Sequence, residues 1–167
     1  MPLIKNGVLV DDPWVKVGGE APIPANGDVI VEADRLLEDG GELARHDGRI
    51  GVLLANDEDP MGLSKWIEKL ALIALDFPQF TDGRAFSQAR VLRRRLGFDG
   101  ELRALGNVLV DQAAFMTRCG IDAFEVWGEQ DLAAWQRIMG SVTRVYQPGY
   151  RASELGLIGR RTEFSRS

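Results

Sequence analysis

The sequence predicts a single α/β domain: about four consecutive strand–helix units forming a parallel sheet, open or half-barrel-like, with an irregular β region at the N-terminus. Three observations carry that reading. The chain has 167 residues and is 45% hydrophobic, enough for one domain with a sizeable core. From residue 50 onward, short apolar runs alternate with stripes spaced i, i+3, i+4 and i+7, the patterns of covered strands and of helices lying on a core. Four such units are too few to close an eight-stranded barrel.

Taken in order, Gly7–Val10 and Trp14–Val17 are short β-prone runs separated by the turn-forming Asp11-Asp12-Pro13. Gly18-Gly19, Pro22, Pro24 and Asn26-Gly27 break the pattern before Asp28–Val31, another short run. Glu32 to His46 reads as a helix interrupted at Gly40-Gly41, with Leu36, Leu37 and Leu43 on its apolar face. His46, the sole histidine, marks a helix end better than a catalytic base. Ile50–Ala55 is the first covered strand, followed by a helix striped by Leu63, Trp66, Ile67 and Leu70. Ala71–Leu75 is the next strand. Ala85, Ala89, Leu92 and Leu96 line an Arg-rich helix that Gly97 ends. Leu102–Leu105 is a third strand, after which Asn107 would cap a helix carrying Leu109, Ala113 and Met116 and stopped by Gly120. Ala123–Trp127 and a helix with Leu132, Trp135, Ile138 and Met139 complete the series. The expected organisation is residues 1–31 as a β arm or hairpin packed on the domain, 32–146 as the α/β core, and 147–167 as an extended or disordered tail.

The net charge of −5 argues against a general nucleic-acid binder. Residues 1–60 hold 13 acidic and 5 basic residues, and the remainder 12 and 15. One cysteine, Cys119, excludes a disulfide, a redox pair or an iron–sulfur cluster held within the chain. Its place near a helix end reads as a buried structural thiol. No apolar stretch approaches the roughly 20 residues that span a bilayer, and no leader is evident, so the expected compartment is the cytoplasm. No dinucleotide or P-loop fingerprint is present, one His and one Cys build no typical structural zinc site, and no cofactor is evident.

In parallel α/β folds, ligands sit at the carboxyl ends of the strands. The loops expected there are Asn56–Pro60, Asp76–Arg84, Gly106-Asn107 and Trp127–Glu129. The candidate catalytic residues are Asp76, Asp82 and Arg84; the candidate binding residues are Asn56, Asp57, Asp82, Gly83, Arg84, Ser87, Asn107 and Asp111. Asp57, Asp76 and Asp82 read equally as caps or salt-bridge partners. The sharper reading centres on Asp82-Gly83-Arg84, where free helix amides and a guanidinium would hold a small oxyanion such as sulfite, sulfate or phosphate. Arg93-Arg94-Arg95 reads either as a solvated helix face or as part of a docking patch for an acidic partner.

The string DFPQFTDGRAFSQARVLRRRLGFDGELRALGNVLVDQ, followed by RCGIDAFE and preceded by the block IGVLLANDEDP, resembles a family of small bacterial proteins of unknown function. Their genes commonly lie beside the assimilatory sulfite reductase gene, and they are labelled oxidoreductases of sulfite reduction. The resemblance is close from Ile50 to Trp127 and loose before it. Asp76, Phe77, Pro78, Phe80, Asp82, Gly83, Arg84, Ser87, Arg90, Glu101, Arg103, Asp111 and Gln112 match the family string. Position 86 is Phe where many relatives have Tyr, so a hydroxyl there is dispensable for any shared chemistry. The resemblance implies an accessory protein of assimilatory sulfite reduction, acting as a partner of sulfite reductase or a small-oxyanion binder. The alternative is a small oxidoreductase or other enzyme of sulfite assimilation that uses the Asp and Arg residues of the 76–84 loop. Neither nucleic acid nor membrane is an expected partner, and a homodimer that covers an exposed strand edge is a further alternative.

Overall fold

The computed structural model describes residues 2–79, 82–126 and 132–142. Its strands are β1 (Leu3–Lys5), β2 (Val8–Val10), β3 (Val15–Val17), β4 (Val29–Glu32), β5 (Ile50–Leu54), β6 (Leu70–Phe77), β7 (Glu101–Gly106) and β8 (Ala123–Glu125). All eight join one sheet in the order β2-β1-β8-β7-β6-β5-β4-β3. From β3 to β8 each strand lies parallel to its predecessor. β1 runs antiparallel to both β2 and β8. The result is a mixed half-barrel, so the expectation of a purely parallel sheet of about four units is corrected. The extra strands are only three or four residues long and lie among Gly and Pro, too short to show a period.

The expected turn at Asp11-Asp12-Pro13 is corrected too. β2 and β3 occupy opposite edges of the sheet. The segment joining them therefore crosses the concave face as a strap, and Asp12 and Trp14 make contacts there. A side chain at Gly51 in β5 would crowd Ile30, Leu72 and the Trp14 ring at 3.1–3.2 Å, and the Arg49 guanidinium lies 5.0 Å from that ring's centre.

The helices are α1 (Ala33–Glu38), α2 (Gly40–Leu43), α3 (Arg84–Arg94), α4 (Ala113–Arg118) and α5 (Leu132–Val142). The helix expected over Leu63–Leu70 is absent. Asp59 accepts from the Met61 amide and Pro60 opens a single 3-10 turn, Pro60–Leu63. Irregular turns follow, and Leu70 already belongs to β6. Trp66 packs instead where any side chain at Gly40 would collide with its ring, which explains the glycine that splits α1 from α2. Asn107 does not cap a helix: it is exposed, and its backbone amide donates to Phe77 O at 2.7 Å. A 3-10 turn, Val110–Gln112, precedes α4.

Leu36, Leu75, Phe77, Ala89, Leu92, Leu102, Met116, Phe124 and Trp135 belong to the main core. The concave face has a smaller apolar cluster of Ile30, Leu72 and Ala74, edged by Trp14, Leu53 and Leu105. Beside it runs a network of charge. Arg103, fully buried, gives both terminal nitrogens to Asp12 at 2.7 and 3.1 Å and its Nε to Glu101 at 2.9 Å. Lys5 meets Glu101 at 2.8 Å. Lys16, on one edge strand, reaches Glu125 on β8 at 2.6 Å, across four intervening strands. Three cations face three carboxylates, so the network is neutral and the two sides of the half-barrel are tied together.

Arg93 is a further correction to the picture of a solvated arginine face. It is buried and donates to the carbonyls of Phe98, Gly100 and Gly120 and to the Asp122 carboxylate. It thus fastens α3 to the loops ahead of β7 and β8.

Candidate functional site

The carboxyl ends of β4 to β7 form one rim, and most of the candidate residues lie along it. β6 ends in Asp76-Phe77, and the chain returns at Asp82 to start α3. Residues 80–81 of that loop, the expected loop Trp127–Glu129 and the expected tail 147–167 fall outside the described residues.

At the start of α3, Gly83 occupies the N-cap position without a capping side chain. Asp82 does the organising. Its carboxylate accepts from the Arg84 amide at 3.1 Å, from Arg84 Nε and a terminal nitrogen at 3.1 and 2.7 Å, and from Asn56 Nδ2 at 2.5 Å. The guanidinium beside it, the Arg84 amide and Asn56 hold the Asp82 carboxyl below the usual carboxylate range. The structure thus joins Asn56, Asp82, Gly83 and Arg84 into one cluster that bridges the β5 and β6 loops. Arg84 is spent on Asp82, although its side chain remains 59% exposed.

The surroundings are acidic. Asp57 is exposed and acts on Arg84 through space. Glu58 accepts from the Ala55 amide at 2.5 Å, and burial together with Asp34, Asp57 and Glu32 pushes its carboxyl up. Gln88 ties this loop to α3 by donating to the carbonyls of Ala55 and Glu58 at 2.7 and 2.8 Å. Sequence reasoning missed Glu58 and Gln88; the break in the apolar stripe of α3 at position 88 was the available signal for the second.

Asp76 stands on the concave side in the same alternating row as Leu72 and Ala74. Its neighbour across the ladder is Leu105. It is half-buried, and burial raises its carboxyl above the usual range, partly opposed by the Phe77 amide. A raised acid destabilises the fold in its charged form. That penalty is complete above the folded-state pKa and disappears as pH falls toward the unfolded value of 3.8. Asp76→Asn is therefore expected to raise the melting temperature near neutral pH, and the gain should vanish in acid; a constant gain across a pH series of melting curves would contradict this.

The other candidates stand outside the Asp82 cluster, although Asn107 keeps to the rim through its bond to Phe77. Ser87 is exposed on α3, Asn107 is exposed after β7, and Asp111 is exposed on the turn before α4. A hollow of about 50 Å³ opens beside Lys16, Ile30, Glu32, Leu53 and Leu105, room for a few waters. Among the described residues no group of three or more His, Cys, Asp and Glu side chains is arranged to hold a metal ion, and no helix is long and apolar enough to cross a membrane. Cys119 is buried at the end of α4, where burial pushes its thiol up against the opposing pull of Arg90, Arg118 and Arg94.

A family model described as a bacterial protein of unknown function (DUF934) matches residues 51–155. The matched stretch contains β6 to β8, α3, α4 and α5, while the strap at Asp12 and Trp14 precedes it. No curated protein matches the chain.

Proposed function

The chain belongs to this bacterial family, and from that premise we propose that it is an accessory protein of assimilatory sulfite reduction, acting as a partner of sulfite reductase. The resemblance of the Asp76–Gln112 string to proteins encoded beside the reductase supplies the pathway. One observation supports a docking role over a small-oxyanion role. Arg84, the cation nearest the expected anion site, is neutralised by Asp82, whereas Arg90, Arg94 and Arg95 of the same helix are exposed and meet no carboxylate within ion-pair distance among the described residues. Outward cations steer and orient an acidic protein surface.

The test is direct association of the two purified proteins, followed by analytical ultracentrifugation at low and high salt. A complex that weakens with salt is the expected result; two independently sedimenting species at low salt would end the proposal. The reading also expects the pure protein to show no flavin or haem absorbance, and a strong visible spectrum would count against it.

A second reading, a small enzyme of sulfite assimilation, is favoured by Asp76, a half-buried carboxyl with a raised pKa at a strand's carboxyl end. On that reading Asp76→Asn and Arg84→Ala each abolish turnover with the fold intact. The exposed Asp82–Arg84 pair contributes little to stability, so Arg84→Ala is expected to leave the melting temperature close to wild type. A large fall in melting temperature would make Arg84 structural.

A further inference from the structure

On the helical side of the sheet, α3 and α4 build a second concentration of side chains. Three phenylalanine rings lead outward from the core. Buried Phe77 meets Phe86 edge-on, with 5.2 Å between centres, and Phe86 meets Phe115 in the same manner at 4.9 Å. Phe115 emerges 38% exposed. The guanidiniums of Arg90 and Arg118 lie 5.5 and 5.6 Å from the centre of its ring. Arg94 stands one turn beyond Arg90, and all three arginines act on the Cys119 sulfur, which places them in one neighbourhood. The Nε of Arg118 is buried and finds no acceptor among the described residues. Among the described residues, none of the three has a carboxylate within ion-pair distance, whereas Arg35, Arg49, Arg84 and Arg93 each hold one and Arg103 holds two.

We infer that Phe115 with Arg90, Arg94 and Arg118 is a docking surface for a protein partner that presents carboxylates around an apolar side chain. The inference rests on the partner reading above and names the surface and the chemistry it takes. Like charges held together around one ring repel, and an incoming pair of carboxylates relieves that repulsion. Arginine is enriched among the residues that dominate binding energy, and aromatic rings, phenylalanine included, are enriched at protein interfaces. Phe115 is already positioned by the stack behind it, so fixing it on binding loses little rotamer freedom. The chain's net charge of −5 disfavours a phosphate backbone as occupant.

The experiment measures binding of the full-length protein to three immobilised probes: purified assimilatory sulfite reductase, a displayed library of Asp- and Glu-rich peptides containing a Leu or Trp, and a single-stranded DNA oligonucleotide. The variants are Phe115→Ala, the double change Arg90→Glu with Arg118→Glu, and Arg45→Glu as an exposed control on another element, each checked for wild-type circular dichroism. The expected result is reductase binding that falls at least about tenfold for Phe115→Ala and for the double variant, with the control unchanged. Reductase binding that all variants retain equally overturns the surface and leaves the partner reading standing. No reductase binding, with peptides still captured through Arg90, Arg118 and Phe115, ends the partner reading and keeps the surface. Absence of arginine-dependent binding to both protein probes, or preference for DNA through these residues, overturns the inference.

Discussion

Replacing Arg103 by alanine is expected to lower the thermal midpoint by on the order of 10 °C. The side chain is wholly buried and serves Asp12 and Glu101 together. Its removal leaves two carboxylates, 21% and 12% exposed, with water only partly able to replace their partner. Breaking a buried pair from one side typically costs about 3–5 kcal/mol, and each kcal/mol moves the midpoint of a chain this size by roughly 2–4 °C. The effect should also be local in origin, because Asp12 anchors the strap over the concave face. Limited proteolysis of Arg103→Ala should therefore open the chain first between Val10 and Val15. A variant that melts within a degree or two of wild type, with the strap still protected, would show that the network contributes nothing net. A sharper control replaces Arg103 by Met and Asp12 by Leu together; this pair should recover part of the loss, since it removes one of the two stranded carboxylates and leaves Glu101 with Lys5.

The second large effect is expected at Gly106, where Ala should cost about 3 kcal/mol, read as a shift in the urea midpoint at unchanged slope. Gly106 ends β7 at φ +91, a conformation L side chains rarely adopt. A Cβ there would also lie 2.6 Å from Phe77 O and 3.0 Å from Asp76 Oδ1. The Phe77 carbonyl already accepts from the Asn107 amide, so moving it breaks a bond between β6 and the turn after β7. Gly97→Ala is the internal comparison. Gly97 has φ +64, but a methyl group added there would meet nothing within 4 Å, so it should lose only about 1 kcal/mol to backbone strain. Equal losses at the two positions would mean that the close approach at Gly106 is without energetic weight.

The alternation of covered strands and helices between Ile50 and Met139 was legible because those strands are buried on both faces and keep their apolar runs. α3 was legible to within a residue or two, as its buried Ala85, Ala89 and Leu92 are spaced for one face. The stripe at Leu63, Trp66, Ile67 and Leu70 failed for a physical reason. Leu70 is drawn into β6 by its ladder with Ile50, and Trp66 by the space above Gly40. Tertiary contacts there outweigh a periodic pattern of only eight residues. The short β-prone runs before residue 32 were legible, but the place of β1 in the sheet was not: besides its local partner β2 it pairs with the distant β8, and nothing local announces that.

The site was half legible. The Asp82–Arg84 cluster lies on the expected rim, but an arginine two residues from an aspartate gives no sign in sequence of whether it turns outward or back. Here it turns back. The buried roles of Arg93 and Arg103 were invisible for the same reason, since charge alone reads as solvent exposure until the acceptors are known. Asp12, the partner of Arg103, lies in a segment that reads locally as a simple turn.

The outermost strands of the sheet are thus made by neighbouring stretches of chain, and their final positions depend on residues synthesised much later. Leu3 cannot find Glu125, nor Lys16 its carboxylate, until most of the polypeptide has left the ribosome. Such distant pairing makes the last step of folding slow relative to the local steps before it. Until then the exposed Val8, Leu9 and Val10 belong to a segment with no sheet to join. The nascent N-terminus is therefore the part of this molecule with the longest exposure to chaperones and to premature contacts.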